Sequence, residues 1–144
     1  MNNIETFNNF AAAFEDAVKD DNWTRLEKYL AEDATYLNVG GPDPKCKGRD
    51  AIIAFLKSDV SNTDRRFDTR SLNALTPPVI DGERLTRQWR CTYTLAEAPD
   101  LIVNGEARYL FENGLIKEIE EEVTSGSMLN FEEWMGKYGG RLHA

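Results

Sequence analysis

The feature that most limits what this chain can become is a change of hydrophobic period near Arg66. Before it, apolar residues recur every three or four positions; from there to Val123 they recur every second position. A period near 3.6 describes helices that bury one stripe, and a period of 2 describes strands that bury one face. Helices first and strands after imply an α+β fold with the helices gathered on one face of a sheet. The 144 residues suffice for one core, and no repeat, low-complexity stretch or Pro/Ser linker divides them, so residues 1–144 read as a single domain.

In the helical half, Ile4, Phe7, Phe10, Phe14 and Ala17 or Val18 form a stripe over residues 3–19, and Asn2 with Glu5 resembles a capping box. Asp20, Asp21 and Asn22 interrupt this helix and can cap a second one, with Trp23, Leu26 and Leu30 inward. "ATYLN" reads as a strand, and "GRDAIIAFL" opens a third helix with Ile52, Phe55, Leu56 and Val60 on one side. In the period-2 half, a weak alternation from Phe67 to Thr76 stops at Pro77 and Pro78, the mark of an edge or bulge. Asp81-Gly82 is a hairpin signal leading into a strand over 84–95. A strand over 101–111, the "ENG" turn and a strand over 115–124 complete an antiparallel meander. The segment "SMLNFEEWMGKYGG" predicts a closing helix, with Asn130 and Glu133 as capping box, Phe131, Trp134 or Met135 and Tyr138 as stripe, and Gly139-Gly140 as stop.

Alternation assigns sides within the strands. One face carries Leu85, Arg87, Trp89, Cys91, Tyr93 and Leu95; the next strand contributes Leu101, Val103, Gly105, Ala107, Tyr109 and Phe111. The last strand divides into an outward row of Ile116, Glu118, Glu120 and Glu122 and an inward row of Leu115, Lys117, Ile119, Glu121 and Val123. Glu121 breaks the apolar pattern. A carboxyl between Ile119 and Val123 on a buried face must gain a partner or take up a proton, and a raised pKa prepares a group for acid-base work. Pairing with Arg87, or a twist or bulge that lets Glu121 reach solvent, is the structural alternative. Tyr36 and Asn38 share one strand face, although Asn38 also suits a turn. Tyr36, Asn38, Arg87 and Glu121 are polar exceptions on apolar faces, which is how small-molecule sites are built; Trp89, Tyr93 and Tyr109 would fill a core with or without a ligand.

The net charge of −8 argues against a nucleic-acid surface, and the basic cluster Arg65, Arg66 and Arg70 is diluted by Asp64 and Asp68. No apolar run approaches the ~18 residues that span a bilayer, and the first residues lack a signal-peptide pattern, so a cytoplasmic location without membrane contact is expected. Cys46 and Cys91 fit no CxxC or zinc spacing. The single histidine, His143, reads as part of a frayed terminus, so neither a triad nor a His-ligated metal is expected.

The stretches "DNWTRLEKYLAEDATYLN", "KGRDAIIAFL", "ARYLFENGLIKEI" and "FEEWMGKYG", in this order, resemble the SnoaL-like proteins of the nuclear-transport-factor-2-like superfamily over nearly the whole chain. The resemblance implies a cystatin-like cone of curved antiparallel sheet closed by helices, an interior pocket and a homodimer through the sheet's outer face. It points Tyr36 and Asn38 into the cone, with Trp89, Cys91, Tyr93, Ala107, Tyr109, Ile119, Glu121 and Val123. Against ketosteroid isomerases, Phe14 stands where that family has its oxyanion tyrosine, Asn38 where it has its carboxylate base, and Glu106 or Ala107 near its second acid, which disfavours steroid isomerisation. Limonene-epoxide-hydrolase-like proteins match at Tyr36, Asn38 and Glu121, while Trp89 and Cys91 replace their Arg-x-Asp pair. Scytalone dehydratases rely on histidines that this chain lacks.

The resulting expectation is a small-molecule pocket protein, an acid/base enzyme of isomerase, lyase, cyclase or epoxide-hydrolase type that needs neither metal nor organic cofactor. Glu121, Tyr36 and Asn38 would act on an apolar substrate held by Phe14, Arg87, Trp89, Tyr93 and Tyr109. A non-catalytic carrier or sensor of a hydrophobic ligand is the alternative. So is a protein-interaction module using Trp134 and Met135.

Overall fold

The computed structural model describes residues 2–40 and 45–144. Helix α1 (Asn3–Asp20) starts where expected, because the Asn2 side chain accepts from the Glu5 backbone N–H at 2.9 Å. It ends at Asp21, whose φ of 63° breaks the helix. The second helix is a 3₁₀ segment, Trp23–Tyr29, that buries Trp23 and Leu26. It runs directly into strand β1 (Leu30–Val39), followed by the short β2 (Lys45–Lys47). Helix α2 (Arg49–Asn62) buries Ile52, Leu56 and Val60, one turn apart.

The second half of the chain is β3 (Thr69–Ala74), β4 (Val79–Asp81), β5 (Arg84–Thr94), β6 (Leu101–Glu112), β7 (Leu115–Val123) and helix α3 (Ser125–Tyr138). The strands form one curved, unclosed sheet in the order β2-β1-β7-β6-β5-β3, with β4 on the same edge of β5 as β3. The meander β5-β6-β7 is antiparallel, whereas β1 lies parallel to β7. A hairpin meander cannot produce that pairing; β1 reaches the sheet from the helical half and returns through α2. The β4–β5 turn uses Gly82 and Glu83, one residue later than the Asp81-Gly82 signal, since Asp81 already pairs with Arg84. Asn113 and Gly114, both at positive φ, make the β6–β7 turn.

Three further expectations change. Ile116 is fully buried rather than outward, because the β6–β7 register slips between Leu110/Glu118 and Phe111/Ile116 and leaves Lys117 as a bulge. Lys117 pairs instead with Asp33. Helix α3 starts five residues before Asn130, capped by Thr124, whose hydroxyl accepts from the Ser127 N–H. Asn130 sits inside the helix and donates to the Ile102 carbonyl. The C-terminal segment is tied down: His143 N–H donates to the Arg66 carbonyl, the Arg66 guanidinium to the His143 carbonyl, and the imidazole lies 2.5 Å from Asp68.

Two apolar clusters share the inner face. One packs α1, the 3₁₀ segment and α2 onto the sheet around Phe7, Leu26, Ile52, Phe111 and Ile116. The other packs α3 onto the β5–β6 end around Phe67, Tyr93, Leu101 and Trp134. Trp134 is therefore core, 5% exposed, with its indole N–H on the Pro99 carbonyl, and offers no docking patch. Trp89 touches both clusters. No described helix is long and apolar enough to cross a membrane.

Candidate functional site

A cavity of about 350 Å³ opens between the helices and the inner face of the sheet, where the two clusters meet. The sheet floor is organised in cross-strand rows. One row runs Asn38, Glu121, Ala107 and Arg87 across β1, β7, β6 and β5. The next runs Cys46, Tyr36, Ile119, Tyr109 and Leu85. On the other side, Val123, Gly105 and Trp89 are aligned. Gly105 is required here: a Cβ would come within 2.2 Å of Trp89 Cζ2, so the indole lies across a position that only hydrogen can occupy.

Of the residues singled out from the sequence, Glu121, Tyr36, Phe14, Arg87, Trp89, Cys91, Tyr93, Tyr109 and Ile119 line the cavity. Three do not. Ala107 is fully buried within the row, between Glu121 and Arg87, Val123 packs into the α3 cluster, and Asn38 pairs with Glu121 without lining the cavity.

Among the described residues Glu121 has neither a hydrogen bond nor an ion pair, and the pairing with Arg87 does not form. Two strand spacings, roughly 10 Å, separate their backbones. The Arg87 guanidinium lies over the Phe7 ring, 5.0 Å from its centroid, with Nε buried and unpartnered. Desolvation is the main cause that pushes the Glu121 carboxyl up to about 8; Arg87 and Arg108 pull it down less, and Asp59 raises it further. Burial, then the Glu121 charge, holds the phenols of Tyr36 and Tyr109 well above their usual range. At neutral pH the floor thus presents a protonated carboxyl beside two neutral phenols, a set of proton donors enclosed by apolar groups.

The wall opposite was not legible from the sequence. Arg70 on β3 binds Asp64 at 2.5 Å and Glu15 on α1 at 2.7 Å, and Tyr93 donates to Asp64 at 3.3 Å. Asp59 on α2 is exposed at the rim, its carboxyl pushed up to about 6 by desolvation and by the nearby Asp64 charge. Burial raises Asp64 despite the Arg70 contact, and burial likewise raises the Cys91 thiol, so Cys91 is a neutral wall group. Among the described residues, no group of three or more His, Cys, Asp or Glu side chains is placed to hold a metal ion.

Comparison with known proteins adds the following. The model of the SnoaL-like domain matches residues 11–119. No curated protein matches significantly. Among solved structures, Bal32a from a soil-derived mobile gene cassette is 19% identical, with a TM-score of 0.67 over 92% of this chain and 98% of that one. An LEH-like epoxide hydrolase from M. tuberculosis is 13% identical, TM-score 0.62, covering 88% and 89%. A putative isomerase from Bacillus subtilis is 13% identical, TM-score 0.65, covering 94% and 96%. At these identities the likeness is one of fold.

Proposed function

The chain belongs to the family of SnoaL-like domains, and from that premise we propose that its cavity binds a small, mostly apolar organic molecule on which Glu121 acts as general acid. The observation that carries this reading is a carboxyl with no hydrogen bond or ion pair among the described residues, facing a cavity walled by Phe14, Trp89 and Tyr109, where burial pushes it up to about 8. Tyr36 supplies a neutral O–H beside it, suited to orienting a carbonyl or epoxide oxygen as Glu121 delivers its proton. Asn38 on β1 pairs in register with Glu121 on β7 but does not line the cavity, so it is given no contact with the substrate in this reading. Isomerase and epoxide-hydrolase chemistry are the reaction classes to assay first, because structural neighbours carry those descriptions.

The test is turnover of a panel of small apolar epoxides and enones. Glu121→Gln should abolish any turnover found while leaving the circular dichroism spectrum unchanged. An unchanged rate removes Glu121 from the chemistry. Carbon-13 NMR of the Glu121 carboxyl adds a readout independent of substrate: a midpoint near 8 supports the acid, whereas a midpoint below 5 supports the non-catalytic carrier. The family reading also carries a proposed homodimer through the sheet's outer face, which sedimentation equilibrium checks.

A further inference from the structure

We propose that the molecule taken by this cavity is an organic cation, a protonated amine on an apolar or aromatic body, whose ammonium end is held at the acidic rim. The proposal rests on the reading of the cavity as a small-molecule site and goes further by naming the charge of its occupant.

The first argument is a count of charged groups. Four carboxyl side chains line the cavity, those of Glu15, Asp59, Asp64 and Glu121, against two guanidinium groups, those of Arg70 and Arg87; with Glu121 holding its proton at neutral pH, the balance is three carboxylates to two cations. Arg70 is already committed, since its Nε serves Asp64 at 2.5 Å and its Nη1 serves Glu15 at 2.7 Å. Arg87 is turned onto the Phe7 ring and makes no ion pair among the described residues. The acidic side therefore lacks positive charge. One accessible position shows the shortage: Asp59 has no described hydrogen-bond or ion-pair partner, and Glu15 Oε2, though enclosed, also lacks a donor.

The second argument concerns access. Arg87 Nε and the Trp89 indole N–H are also unpartnered and would suit an acceptor oxygen. Both atoms are enclosed, however, and the indole is pinned across Gly105. A ligand coming from solvent reaches Asp59 and Glu15 more readily, because both line the cavity and keep solvent exposure while those donor atoms are enclosed. The walls include the rings of Phe10, Phe14, Trp89, Tyr93 and Tyr109, whose faces attract a desolvated ammonium group. The net charge of −8 draws cations toward the whole molecule.

The experiment uses matched triplets on one body: 2-phenylethylamine, 2-phenylethanol and 3-phenylpropionate, and the corresponding naphthyl series. Binding is measured by calorimetry and by amide chemical shifts of the full chain at pH 7. The amine should bind at least tenfold tighter than the alcohol, with the carboxylate weakest, and Asp59→Asn should erase the amine's advantage while alcohol binding persists. Asp59 is exposed, so this variant tests binding without threatening the fold. Equal or tighter binding of the alcohol or carboxylate overturns the cation, as does unchanged amine affinity in Asp59→Asn, and in either case the small-molecule reading survives. Shifts at no cavity residue with any of the six compounds overturn both.

Discussion

At the scale of single residues, Gly105 is the position where one methyl group would be felt in both sheet and cavity. A Cβ there would lie 2.2 Å from Trp89 Cζ2 and 2.9 Å from the Glu122 carbonyl, and only the indole can yield. Gly105→Ala should cost about 1–3 kcal/mol of stability by overpacking, measured by urea denaturation, and should push the Trp89 ring into the cavity and narrow it. Wild-type stability in that variant would show that the ring has a second resting place. Arg70 offers the complementary test by removal. Arg70→Met leaves the buried Asp64 and the Glu15 carboxylate without their cation, with an expected loss of about 3–5 kcal/mol, part of which Asp64→Asn in the same chain should restore. The residues of the cavity differ in how far the sequence discloses them. Glu121 stood out because Ile119 and Val123 flank it on one strand, so local alternation sufficed. The Glu15–Arg70–Asp64 network could not be read that way, since Glu15 and Arg70 lie 55 positions apart and each resembles an ordinary solvated charge. Asp59 was hidden likewise, because its rim position depends on how α2 meets the sheet.

At the scale of elements, period located α1, α2 and the long strands, whereas the expected second helix is a 3₁₀ segment and Leu30 already begins β1; the departures arise where one element must fit another. The bulge at Lys117 is the clearest case. A strict period of 2 puts Ile116 outward, yet Ile116 and Ile119 are both buried, three positions apart, because β7 must meet Phe111 of β6 and Leu30 of β1 with Ile116. Beyond the bulge the phase is restored, which is why Glu121 still faces inward. The start of α3 has a similar origin. Strand β7 stops at Val123 and leaves the end of β6 without a neighbour; Thr124 N–H then donates to the Asn104 carbonyl, and Asn104 N–H to the Ser127 hydroxyl. The helix begins where that edge needs covering, earlier than the Asn130 box suggested. Thr124→Ala removes the cap from this junction and should cost about 1 kcal/mol. Its effect should appear as faster amide hydrogen exchange at Asn104 and Ser127, and unaltered exchange there would assign the junction to other contacts.

At the scale of the whole molecule, the acids with raised pKa values oppose the acids with lowered ones, and the balance sets how stability depends on pH. Asp33 and Asp68 are held below their usual range by Lys117 and His143, so the stability they contribute is lost as pH falls through their titration. Glu121 acts in the opposite sense. Its folded-state value near 8 exceeds the ordinary 4.5, so between those limits the folded chain binds a proton that the unfolded chain has released. Stability must then decline as pH rises through this window, with a slope approaching roughly 1.4 kcal/mol per pH unit from this one group. Asp59 adds to the decline in the lower part of the window, up to about 6, weakened by its exposure. Urea denaturation from pH 5 to 9 should show a maximum near the acidic end and a falling limb above it. Glu121→Gln, neutral at every pH, should flatten that limb and make the variant more stable than the wild type at pH 9. Self-repulsion from the net charge acts on both chains alike, so the difference between the two curves isolates the carboxyl. If the curves run parallel, Glu121 is ionised throughout, and the proton that the proposed chemistry needs is not stored there.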